Sequence, residues 1–118
     1  MNAQVLARLS RLAFWAAAAF ALVMALIPQP VYIPGDPGDK VLHMLAFATL
    51  AMLALIGWPR GSLLRIWLGL VAFGAGIEVL QAIPALNRDA QWLDLLADAG
   101  AAGAVLLAGA AWRRLRAR

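Results

Sequence analysis

Six polar side chains stand out against the apolar background of this 118-residue sequence: Lys40, His43, Glu78, Gln81, Asp94 and Asp98. Glu78 lies inside LLRIWLGLVAFGAGIEVLQAIP, residues 63 to 84, where an acidic residue is costly and rarely idle. A carboxyl taken out of water can hold and release a proton near neutral pH, and an imidazole can exchange one with it. Glu78 and His43 are therefore the candidate catalytic pair. Lys40, together with Arg88, offers cations that pair with anionic oxygens such as phosphate. Asp39, Gln81, Asp94 and Asp98 complete the candidate binding set.

Spacing groups these residues. Glu78 and Gln81 are three apart and share one side of a helix; Asp94 and Asp98 are four apart and do the same. Lys40, His43 and Phe47 form a stripe on a third segment. Counted along a helix from the nearest break, His43 is ~6 Å deep and Glu78 and Asp98 are each ~9 Å deep. All lie toward the same side of the chain's apolar runs. The expectation is one polar pocket, open outward, walled by the second, third and fourth helices, with the first as support.

The elements that would position this pocket follow from composition. The sequence is 64% hydrophobic and its mean hydropathy is +0.81, above the usual ~45–50% apolar content of a soluble domain. Four apolar runs have the ~17–25 residues that cross a bilayer as a helix. Alternation is absent and Ala, Leu and Met favour helix, so strands are a poor reading. The predicted helices span about residues 10–28, 40–58, 62–83 and 92–113. The predicted fold is all-α: an integral membrane four-helix transmembrane bundle in a single domain. QPVYIPGDPGD (29–39), WPRGS (58–62) and PALNRDAQ (84–91) supply the breaks, with Asp39 as N-cap of the second helix. The first run could instead be a signal peptide after Arg8 and Arg11, but no clear A-x-A site precedes the prolines.

Arginines set the expected orientation. Arg8, Arg11, Arg60, Arg65, Arg113, Arg114, Arg116 and Arg118 fall on one side of four alternating helices, against Lys40 and Arg88 on the other. That places both termini in the cytoplasm. Trp58 and Trp112 then mark the inner interface, and Tyr32 and Trp92 the outer one. The net charge of +4 comes from residues at the edges of apolar runs, which fits a membrane rather than nucleic acid. Absence of cysteine excludes disulfides and thiolate chemistry. No metal-ligand pair such as H-x-x-x-H, no Ser-His-Asp set and no nucleotide loop is present, so neither metal nor cofactor is expected. Small residues, Gly69, Ala72 and Gly76 on the third helix and Ala97, Ala101, Ala104 and Ala108 on the fourth, are expected to let helices approach.

The segments DKVLHMLAF (39–47), GIEVLQ (76–81) and NRDAQWLDLLADAGAAGA (87–104) together resemble the VanZ-like family. The shared order is Asp-Lys then His on one helix, Glu then Gln on the next, Arg in the loop, and acidic residues followed by Gly on the last. Where the family carries asparagine before the glycine, this chain has Asp98, which adds a charge. The resemblance covers residues 39 to 104. It implies a multi-pass protein of the bacterial cytoplasmic membrane, in a family named for a member linked to teicoplanin resistance and generally without an assigned biochemical activity. Two function classes follow. One is a site that binds or acts on an envelope lipid or lipid-linked precursor, with membrane lipids as partners. The other is a non-enzymatic assembly or partner-binding protein, a homo-oligomer among its forms, whose polar cluster locks helix packing. In that second class Glu78 is bonded across a helix interface, His43 is a satisfied interfacial histidine and Asp94 merely begins a helix. A small transporter, working as an oligomer, ranks last because the inner half lacks polar lining.

Overall fold

The computed structural model describes residues 2–28, 37–86 and 92–117, with side chains in the second segment from Lys40 onward. Four helices make up the fold: α1 (Ala3–Leu26), α2 (Pro37–Gly57), α3 (Leu63–Gln81) and α4 (Trp92–Arg116). A short 3-10 turn, Pro84–Leu86, follows α3. There is no strand among the described residues. Each helix is long and apolar enough to cross a membrane, so the protein is an all-α, multi-pass four-helix bundle. It measures 51 × 24 × 21 Å, with α2 packed between α1 and α4, and α3 against α4.

The helix ends have local causes. α1 starts about seven residues earlier than expected, because Asn2 caps it: its Oδ1 accepts from Val5 N at 2.8 Å. It stops at Leu26 because Ile27 precedes Pro28 and is extended, with ψ 126°. α2 starts at Pro37 rather than near residue 40, since proline suits the first helical position. Asp39 therefore sits inside the first turn and is not the N-cap. Ser62 caps α3, accepting from Arg65 N at 3.3 Å. α4 runs three residues beyond the expected end, its last turn carrying Arg113, Arg114 and Arg116, which complement the negative end of the helix dipole.

The bundle is inverted relative to a water-soluble one. Leu12, Phe20, Leu42, Leu96 and Leu107 are each at least 65% exposed, as suits side chains facing lipid tails. The interior is built from small and medium residues: Ala51 and Ala102 are completely covered, Ala54 and Leu50 almost so. Close approach, not bulk, fills the core. Gly109 faces Leu55, whose Cδ1 would stand 2.6 Å from an added Cβ. Gly74 faces the Phe47 ring and Leu95, with Phe47 Cζ 3.2 Å and Leu95 Cδ1 3.0 Å from an added Cβ.

These contacts correct the expected small-residue faces. Gly69 and Gly76 have nothing within 4 Å of an added Cβ, and Ala72, Ala104 and Ala108 are exposed. The buried face of α3 runs through Leu70, Gly74, Ile77, Glu78 and Gln81, and that of α4 through Asp98, Ala102 and Leu106. Phase decides this: the buried stripes follow the polar side chains, one step around the helix from the glycine and alanine stripes.

Gly74→Ala is therefore expected to destabilise the bundle by about 1–3 kcal/mol, through overpacking against a rigid ring. Gly76→Ala is expected to be neutral or stabilising by up to ~1 kcal/mol, from helix propensity alone. Thermal unfolding of the detergent-solubilised variants checks both, and an equal loss in the two would contradict the assigned faces.

Candidate functional site

Both ends of the bundle are tied by side chains that donate to main-chain carbonyls of another helix. At the arginine end, Arg11 Nη1 on α1 donates to Gly57 O at 2.7 Å. Arg113 on α4 donates from Nη1 to Gly61 O at 3.0 Å and from Nη2 to Trp58 O at 3.2 Å. α2 has no basic residue in its own last turn, so the cations that complement its C-terminal carbonyls arrive from α1 and α4. This role for Arg11 and Arg113 is not visible in their spacing along the sequence, which signals orientation only.

At the opposite end lie the polar residues singled out above. Lys40 Nζ on α2 is 3.5 Å from Asp94 Oδ1 on α4, with side chains 41% and 13% exposed. Asp94 does sit in the first turn of α4, and it also pairs across the bundle. Gln81 Nε2 donates to Ala25 O at 3.0 Å and is buried, which ties α3 to α1. α1 is thus joined to the polar end directly. Glu78 and Asp98 are buried, each 3% exposed, and His43 is half-buried; all three are engaged in interactions. The side chain of Asp39 and the whole of Arg88 lie outside the described residues.

Helix register sets the relative depths of these groups. α2 and α4 run in parallel, joined by Lys40 with Asp94 at one end and by Leu55 with Gly109 at the other. Both contacts link positions 54 apart in the chain, so Asp98 is level with residue 44, beside His43 and one turn inward of the ion pair. α3 runs antiparallel to α4, with Trp67 Nε1 donating to Ala99 O at 3.0 Å. Glu78, three turns outward from Trp67, therefore starts further out than Asp98. This corrects the expectation of equal depth, which counted each helix from its own end and knew nothing of their stagger. Side chains on a helix tilt toward its N-terminus. In antiparallel helices that tilt inclines Glu78 inward and Asp98 outward, which narrows the difference in depth between their side chains.

The cavities described lie away from this cluster. One of about 730 Å³ lies between α3 and α4 and is lined by apolar residues, among them Trp67, Leu96, Gly100 and Leu107. Another, of about 460 Å³, lies between α1, α2 and α3 near the arginine end. Neither is lined by Glu78, Gln81 or Asp98, which are packed among the helices. Among the described residues no three His or carboxylate side chains group so as to hold a metal ion.

Gln81→Leu is expected to lower stability by about 0.6–1.7 kcal/mol, the range of interhelical hydrogen bonds in membrane proteins. Loss of the donor leaves Ala25 O to be satisfied by nothing on the leucine. Unfolding of the variant in mixed micelles measures this, and an unchanged midpoint would show that the bond carries no net energy.

No protein-family model matches this chain, and neither a curated protein nor a solved structure matches it.

Proposed function

We propose that this chain is a VanZ-like protein of the bacterial cytoplasmic membrane whose polar end binds, or acts on, the phosphate-containing headgroup of an envelope lipid or lipid-linked precursor. The observation that carries this reading is the burial of two carboxylates, Glu78 and Asp98, within helices of membrane-spanning length. Ionisable groups in such positions mark ligand or proton pathways by default. Lys40, 41% exposed beside Asp94, is the cation at the rim that an anionic headgroup meets first. Arg88 is its partner in this role. Glu78 and His43 are the proton-handling pair, with Asp98 level with His43 on the neighbouring helix.

A second reading is favoured by a specific contact. Gln81 is spent on Ala25 O, not on an open pocket, and Glu78 is covered as fully as a core residue. On that reading the cluster is a lock that fixes helix register in an assembly or partner-binding protein.

Both termini are assigned to the cytoplasm, on the arginine count and on the meeting of Arg11 and Arg113 at one end of the bundle. The chain contains no cysteine, so single substitutions report topology directly. Arg60→Cys is expected to react with a membrane-impermeant maleimide only after the cells are opened, and Ala85→Cys in intact spheroplasts. The reverse pattern would invert the assignment.

Glu78→Gln separates the two functional readings. Native mass spectrometry of protein extracted in its own lipids is expected to show a retained phospholipid or polyprenyl phosphate in the wild type. The variant is expected to lose it while inserting and unfolding as before. Loss of folding or of oligomer, with no lipid bound in either form, would instead support the lock.

A further inference from the structure

The two ends of this molecule carry opposite electrostatics. Among the described residues the acidic side chains, Glu78, Asp94 and Asp98, lie toward the polar end, and none accompanies the arginines at the other. Among the described residues no acidic side chain at the arginine end neutralises it. Arg11 and Arg113 are directed onto carbonyls of the α2–α3 connection. Arg65 is exposed, and its side chain lines the cavity of about 460 Å³ between α1, α2 and α3.

That cavity has two unlike parts. Its polar rim is Ser62 and Arg65; its body is aromatic and aliphatic, formed by Phe14, Trp15, Leu50, Trp58, Ile66 and Phe73. Trp58 fixes the rim end through edge-on packing with Phe14 and Trp15, at centroid distances of 5.1 and 6.2 Å. Along α3 the lining extends from Ser62 to Phe73, roughly 16 Å of helix rise. One leaflet of hydrocarbon is about 15 Å thick. A charged mouth at the helix ends and an apolar slot one leaflet deep have the dimensions and polarity of a phospholipid. A lining that holds Arg65 and no acidic side chain selects an anionic headgroup.

We propose that this cavity binds an anionic phospholipid of the leaflet at the arginine end, its phosphate against Arg65 and one acyl chain in the slot beneath Trp58. The site is separate from the polar end, and it stands whether or not the function proposed there is correct. Gly69 lines the slot, and an added Cβ there meets nothing within 4 Å, so a side chain introduced at this position starts in open space.

The test uses the full chain in nanodiscs of phosphatidylcholine with a minority of phosphatidylglycerol, followed by native mass spectrometry of retained lipid. Wild type is expected to retain phosphatidylglycerol in preference to phosphatidylcholine. Arg65→Gln is expected to cut that preference about fivefold, as the loss of one interfacial cation implies. Gly69→Phe is expected to abolish retention of either lipid without changing the charge. Arg60→Gln, outside the cavity, is expected to leave the preference within a factor of two. Equal retention of the two lipids by wild type would overturn the proposal. So would an equal loss for Arg60→Gln and Arg65→Gln, which would reduce the effect to general surface attraction. Displacement of the lipid by inorganic phosphate, with no effect of Gly69→Phe, would make this a free-anion site and overturn the lipid assignment.

Discussion

The cross-helix hydrogen bonds from Arg11, Trp67, Gln81 and Arg113 all end on main-chain carbonyls. In hydrocarbon no water replaces a missing partner, so a polar side chain that enters the bundle must find its acceptor in the protein. Four of the five acceptors, Ala25, Gly57, Trp58 and Gly61, lie in the last turn of a helix or just beyond it, where carbonyls lack a donor within the helix, and Ala99 O inside α4 offers its second lone pair. Using carbonyls as acceptors lets polar residues cross between helices without requiring a matching polar residue on the other side. The rest of the structure depends on this arrangement. It closes the α2–α3 connection from both flanks, fixes the stagger of α3 against α4 and draws α1 to the polar end.

With those ties in place, hydrophobic burial has little left to do. The large apolar side chains face outward, where burial against protein or against lipid tails is nearly equivalent. What holds the helices is close packing over Gly74, Ala102 and Gly109, together with bonds to carbonyls at each end. The middle of the bundle is therefore a passive spacer. Chemistry is confined to the ends, and among the described residues the ends differ: carboxylates, lysine and histidine at one, arginines without counter-charge at the other. A lipid-facing protein with such unlike ends presents different chemistry to the two leaflets.

Much of this was legible in the residues. Four apolar runs broken by Pro-rich or Gly-rich segments fixed the helix number, and three of the four predicted starts lie within three residues of the observed ones. The shared side of Glu78 and Gln81, and the burial of Asp98, followed from periods of three and four. Legibility ended where two helices had to be compared. Gly76 looked like a contact residue because it is small, yet it faces outward; Gly74, two positions earlier, is the one against Phe47 and Leu95. Size permits an approach, but only the phase of the neighbouring helix says where it occurs. The stagger of α3 against α4 was hidden for the same reason, since counting from each helix's own end assumes that the ends are level. Arg11 and Arg113 were read as topology signals because a sequence does not show which carbonyls a long side chain will reach. The loop residues between α3 and α4, Arg88 among them, fall outside the described segments.

Gln81 offers an internal standard for judging Glu78 and Asp98. It joins two helices with a neutral amide, and the bond formed is of the kind worth ~0.6–1.7 kcal/mol in membrane proteins. A carboxylate can supply the same cross-helix bonding, but near the centre of a membrane helix it adds about 2.5–3.5 kcal/mol of insertion cost, falling toward the ends. A carboxylate in such a position carries a desolvation cost that a neutral amide does not. A bundle that needed only fixed register would be served by glutamine, asparagine or serine at both positions, as it is at Gln81. The excess cost is consistent with a requirement that an amide cannot meet: a negative charge held opposite a cation, or a proton taken up and released. Lys40, 41% exposed beside Asp94 and one turn above the level of Asp98, is the cation nearest to that level along α2. The burial of acids rather than amides at these two positions is the observation on which the proposed working site rests.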